Sequence, residues 1–260
     1  MAQIDRRYRE GSGAVVREAG YVDEGLRSYM LGVYNYMAAG VALTGVVAYA
    51  LFAFLTTSDP SQAVATLRNG VMLTASGKAV FGSPLMFVLA FAPLAFIFLI
   101  GFRAHKMSVA GAQTAFWAFA AVMGASLSTI FLRYTGASIM QMFFVTSAAF
   151  AALSLWGYTT KKDLSGWGSF LIMGVVGIIL AAIVNIFLQS SALQFAISAI
   201  GVLVFAGLTA YDTQRIKDTY YMVAGDAAAA AKSAIFGALS LYLDFVNMFQ
   251  FMLSLFGSQE

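Results

Sequence analysis

Residues 84–102 read PLMFVLAFAPLAFIFLIGF, nineteen consecutive positions without a charged side chain. A helix needs about 20 mostly apolar residues to cross the roughly 30 Å hydrocarbon core of a bilayer, and this stretch supplies them. Within it, Leu94-Ala95-Phe96-Ile97-Phe98-Leu99-Ile100 shows none of the apolar–polar alternation that outer-membrane barrel strands require, so the span is helical. Six further runs have the same character: 31–55, 109–132, 138–158, 167–188, 192–211 and 233–256. The sequence therefore predicts an all-α polytopic membrane protein. A seven-transmembrane-helix bundle occupies residues 31–256, after a polar tail of residues 1–30 and before a short end, residues 257–260.

Composition excludes most other classes. Of 260 residues, 60% are hydrophobic and 10% charged, where a soluble domain carries about 25% charged residues. There is too little polar side chain to cover a water-facing globule of this size. The net charge is only +3, and no basic run is interleaved with aromatics, so no nucleic-acid partner is expected. The chain has no cysteine, which removes disulfides and thiolate chemistry, and its one histidine, His105, makes a histidine-based metal site improbable.

The tail holds five arginines among five acids and has no apolar core, unlike a signal peptide. Its Gly11, Ser12 and Gly13 among charges predict a mobile segment without a fixed fold. Short loops rich in Lys and Arg stay cytoplasmic. With seven spans and the N-terminus inside, twelve basic residues fall on the inner side and three, Arg68, Lys78 and Arg133, on the outer. This asymmetry predicts a cytoplasmic N-terminus and an external C-terminus.

An ionisable group at membrane depth costs several kcal/mol and rarely persists without a role. Ten of the twelve acids fall in the tail, the loops or the end, leaving Asp212 at the close of the sixth run and Asp244 near the middle of the seventh. Along the seventh run, Gly237, Ser240, Asp244, Asn247, Gln250 and Ser254 recur at gaps of three and four, one face of a helix. Small and polar residues in such a stripe can simply hold helices together, but a mid-span carboxylate is harder to explain that way. Asp212, with Arg215 beside it, also reads as a partly solvated acid at the membrane boundary. Because no Gly or Pro interrupts the chain from there to Gly225, the sixth helix can project past its apolar run and carry Asp212 deeper. Asn185 in the fifth run suits either a bond across the bundle or a place along a path. An intramembrane hydrolase lacks its Ser–His pair, since His105 lies in a loop, and no enzymatic activity is expected.

The stretch Ala210-Tyr211-Asp212-Thr213-Gln214, followed by Ala238-Leu239-Ser240-Leu241-Tyr242-Leu243-Asp244-Phe245-Val246-Asn247-Met248-Phe249, resembles the Bax-inhibitor-type family, also called the transmembrane Bax inhibitor motif family. Lys161-Lys162-Asp163-Leu164-Ser165 and Asn185-Ile186-Phe187 extend the match, which covers about residues 31–256. The resemblance implies a bundle whose last helix is central, and a pH-sensitive calcium leak gated by two aspartates that share a proton. Those positions match Asp212 and Asp244. Bacterial members latch the first aspartate with an arginine at the end of the second helix, for which Arg103 is the nearest candidate. An acid found within the second helix of some members is absent here. A bacterial inner-membrane location is implied.

Two carboxylates within hydrogen-bond distance cannot both ionise cheaply, so their protons belong to the pair. Calcium takes six to eight oxygen ligands. Asp212 and Asp244, with Ser240, Asn247 and Gln250 lining the way, would hold it only transiently, which suits passage better than storage. The expected partners are the lipid bilayer, protons and calcium as the permeant ion, with no cofactor. A proton-coupled secondary transporter, or a non-transporting modulator of a membrane protease or stress pathway acting through the tail, are the alternatives.

Overall fold

The computed structural model describes residues 2–67 and 70–258, with side chains from Glu24 onward. Among the described residues, seven helices are long and apolar enough to cross a membrane. They are α1 (Ala2–Leu55), α3 (Leu85–Arg103), α4 (Val109–Leu127), α5 (Gly136–Thr159), α6 (Trp167–Leu188), α7 (Ser191–Val223) and α8 (Ala227–Phe256). A short helix, α2 (Ala75–Phe81), lies in the long first connection. The chain is an all-α integral membrane bundle, as the runs of apolar residues predict.

Three boundaries moved. The backbone of α1 is helical through the tail, where a segment without fixed fold is expected; no proline interrupts it, and a helix already nucleated in a span propagates one bond per residue. The tail's side chains before Glu24 lie outside the described residues, but Leu26, Tyr29 and Met30 are buried in the bundle, so packing begins ahead of residue 31. The first connection, expected as loop, folds into a small antiparallel sheet in the order β1 (Thr56–Thr57), β3 (Met72–Leu73), β2 (Ala65–Thr66). Two-residue strands leave no periodicity to read. Finally, α7 projects past its apolar stretch, as the uninterrupted chain to Gly225 allows, and ends at Val223, three turns beyond Tyr211.

The helix pair α7–α8 packs most extensively, followed by α1–α4, α5–α7, α1–α8, α6–α7, α3–α4, α5–α8 and α4–α8. The resemblance implies a last helix surrounded by the other six; the principal contacts of α8 are with four, α1, α4, α5 and α7. Helices α3 and α6 bury little and turn apolar side chains outward, with Phe102 and Phe187 each 83% exposed. That is the surface expected to meet lipid, whose tails solvate such groups at no cost.

Close approach needs small residues where there is no hydrophobic drive between helices in lipid. A Cβ at Gly124 would lie 2.6 Å from the Thr44 carbonyl oxygen, and one at Gly157 would lie 2.9 Å from Ala210 Cα, so both positions let backbone meet backbone. The same seams are stitched by hydroxyls. Tyr242 and Thr44 share a 2.7 Å hydrogen bond, and Thr44 also donates to the Ala120 carbonyl of α4 at 3.0 Å. Phe116 and Phe119 pack edge-on against the Tyr242 ring.

Candidate functional site

The segment Ala210–Gln214 of α7 assigns each residue a different neighbour. Ala210 backs onto Gly157 of α5. Tyr211 covers Gly168 of α6 and carries the Arg215 guanidinium 5.6 Å above its ring. Thr213 donates to the Thr209 carbonyl at 2.7 Å and shares a 2.9 Å bond with Ser154 of α5, which in turn bonds Tyr34 of α1 at 2.6 Å. Gln214 accepts from the Leu164 N–H at 2.8 Å and donates to the Lys162 carbonyl at 2.9 Å, pinning the α5–α6 loop to α7. In that loop, the hydrogen bonds from Ser165 hold the Asp163 carboxyl below the usual aspartate range. Held on both sides in this way, α7 can aim one carboxylate, Asp212, into the bundle.

Asp212 and Asp244 are both buried, at 6% and 4% exposure, and both line a cavity of about 550 Å³ between α3, α4, α6, α7 and α8. No hydrogen bond joins the two carboxyls among the described residues. Asp212 stands eleven residues before the end of α7, and Asp244 seventeen after the start of α8. The cross-helix contacts Arg215–Ser240 and Ile216–Gly237 nevertheless bring the two carboxylates within about one turn of the same level. Asp212 instead pairs with Arg215 one turn on, at 3.0 Å, and the same guanidinium nitrogen donates to Ser240 of α8 at 3.2 Å. Asp244 keeps one buried oxygen, Oδ2, with no hydrogen-bond partner.

Arg103 forms no ion pair with Asp212 among the described residues. It is exposed at the end of α3, a helix that packs mainly on α4. Arg215, at i+3 from Asp212, reaches the carboxylate without leaving its own helix. The spacing was visible in the sequence, but a boundary ion pair and a site cation look alike there.

The stripe on α8 divides by depth. Ser240, Asp244, Asn247 and Gln250 line the 550 Å³ cavity. Asn247 and Gln250 also line a second cavity of about 280 Å³, together with Arg133, Gln194 and Ser254. With Phe251, which also lines both, their side chains form the wall the two cavities share. Beyond it, Ser254 accepts from Ser198 at 2.9 Å and Gln194 at 3.4 Å, bonds between α7 and α8 that sequence reasoning missed because Gln194 and Ser198 carry no charge. Asn185 lines neither cavity: it accepts from the Ser190 N–H at 3.0 Å and donates to Gln194 at 3.2 Å. Its role is to close the α6–α7 turn at Gln189, which has a left-handed φ of 50°.

The family described as inhibitor of apoptosis-promoting Bax1 has a model that matches residues 26–260. The chain belongs to this family. Among bacterial relatives, an uncharacterised protein of Caulobacter vibrioides is 50% identical over 239 residues, 92% of either chain. The protein RP147 of Rickettsia prowazekii is 44% identical over 238 residues, again 92% of each. The inner membrane protein YbhL of Escherichia coli is 40% identical over 237 residues, covering 91% of this chain and 94% of its own. Membership in the Bax inhibitor family thus rests on the whole bundle, from α1 through α8.

Proposed function

We propose that this chain is a pH-sensitive calcium leak of the bacterial inner membrane, with a cytoplasmic N-terminus and with Asp212, Asp244 and Arg215 as its gate. The observation that carries the reading is two buried aspartates, one with an unpartnered oxygen, lining a single cavity served by one guanidinium. The residues that line this cavity from α3, α4 and α6 include no ionisable group. Its charge state is therefore set by these three groups together. Fully ionised, it holds a net negative charge in a poorly solvated place, which favours retaining a proton or admitting a cation.

The two cavities sharing Asn247 and Gln250 supply a polar route along α8. Two carboxylates with amide and hydroxyl oxygens are fewer than the six to eight oxygens calcium prefers, so an ion passes without being stored. Arg133, the charged residue lining the outer cavity, opposes cations and keeps the leak slow. Calcium flux into proteoliposomes between about pH 6 and about pH 8 tests this. The double variant Asp212→Asn, Asp244→Asn is expected to abolish the pH dependence; an unchanged profile overturns the proposal.

A further inference from the structure

Helices α1 and α5 make at most marginal contact, and two cavities follow one another along the seam between them. One, of about 480 Å³, lies between residues 27–38 of α1 and 150–158 of α5. The other, of about 460 Å³, lies between residues 41–49 and 136–143, with Phe245 and Phe249 of α8 behind it. From Arg27 to Ala38 the first runs along eleven helical steps of α1, about 16 Å, and half of a roughly 30 Å hydrocarbon core is about 15 Å. Its length matches the depth of one leaflet.

The two cavities differ in charge. The mouth of the first carries Arg27, which is exposed and forms no ion pair among the described residues. Lys217 of α7 does not line it: it sits 5.5 Å above the ring of Tyr158, a lining residue, and donates to the Tyr158 carbonyl at 2.9 Å. No acid lines this cavity; Glu24 lies one turn further out and is exposed. Deeper in, the polar atoms of Tyr34 and Ser154 are satisfied by each other and by Thr213, and the remaining wall is apolar, with Met30, Met37 and Phe150 buried. The second cavity has no charged residue in its lining.

We propose that the first cavity binds an anionic phospholipid of the adjoining leaflet, with its phosphate at Arg27 and an acyl chain along Met30, Met37 and Phe150. Charge at the mouth, apolar walls and a length that matches one leaflet together select this ligand over a polar solute. A basic residue at a membrane surface strengthens attraction to anionic lipid by about fivefold.

The test uses the full chain purified in detergent, with lipid retention measured by native mass spectrometry. The ligands are phosphatidylglycerol, phosphatidylcholine of the same chain length, and glycerol phosphate. Phosphatidylglycerol is expected to bind about fivefold or more tighter than phosphatidylcholine, with glycerol phosphate not retained. Arg27→Gln is expected to erase that preference. Ala151→Trp and Ala38→Trp, each filling the cavity from an exposed position on opposite walls, are expected to abolish binding. Two such variants are used so that a loss of folding in one, seen as a lowered melting temperature without lipid, leaves the other to decide. Gly45→Leu fills the second cavity, where a Cβ meets open space, and is expected to leave binding intact. Wild-type retention by a folded Trp variant, a preference that survives Arg27→Gln, or equal retention of glycerol phosphate would each overturn the proposal.

Discussion

Replacing Arg215 by Gln removes the one cation in the aspartate cavity while keeping a side chain of similar reach. Its guanidinium lies 3.0 Å from Asp212 Oδ1, with the arginine side chain 47% exposed and the aspartate side chain 9% exposed. Charges about 4 Å apart at an effective dielectric of about 20 attract by about 4 kcal/mol. A half-exposed arginine is screened well below that, toward the ~1 kcal/mol of surface pairs. At 1.36 kcal/mol per pH unit, the remaining interaction is worth about 0.7 unit. The sign follows from charge: without the guanidinium, the ionised pair is less favourable, so its proton leaves only at higher pH. The midpoint of the calcium flux profile in proteoliposomes is expected to rise by about 0.7 unit in Arg215→Gln and by less in Arg215→Lys, which keeps the charge. Ser240→Ala removes only the second bond of the guanidinium and is expected to leave the midpoint in place. A midpoint that stays put or falls in Arg215→Gln refutes the role given to this cation.

Gly157→Ala places a Cβ 2.9 Å from Ala210 Cα and is expected to destabilise the bundle by about 1–3 kcal/mol. Gly45→Ala, in open space, is expected to stay within about 1 kcal/mol of wild type; equal melting temperatures for the two would refute the backbone contact. Gln214→Ala frees both the Leu164 N–H and the Lys162 carbonyl, so trypsin is expected to cleave at Lys161 and Lys162 several-fold faster, and an unchanged cleavage rate would argue against the pinned loop. The depressed Asp163 carboxyl favours the folded state above the ordinary aspartate range, and that contribution is lost as pH falls through its lowered value. Ser165→Ala is expected to move its titration, followed by carbon NMR, upward toward 3.8.

Much of this architecture was legible because the bilayer is a demanding solvent. Apolar runs of fixed length forced seven helices, and the gaps of three and four along α8 put Ser240, Asp244, Asn247 and Gln250 on one face before any packing was known. The same scarcity of charge singled out Asp212 and Asp244. What sits beside them was not legible. Whether Asp212 meets Asp244 depends on how far α7 runs past its apolar stretch, and hydropathy falls silent at the polar turns from Thr213 to Val223. The ion-pair partner of Asp212 is Arg215 and not Arg103, because α3 packs mainly on α4, a choice of neighbour that a one-dimensional pattern does not encode. Asn185 became a turn-closing residue for the same reason. The seam between α1 and α5 exists because the two helices meet only marginally, as at the Tyr34–Ser154 hydrogen bond. Sequence by itself determined which side chains could not face lipid; tertiary structure decided which partners they found, since burial cost is a property of a residue and pairing is a property of two.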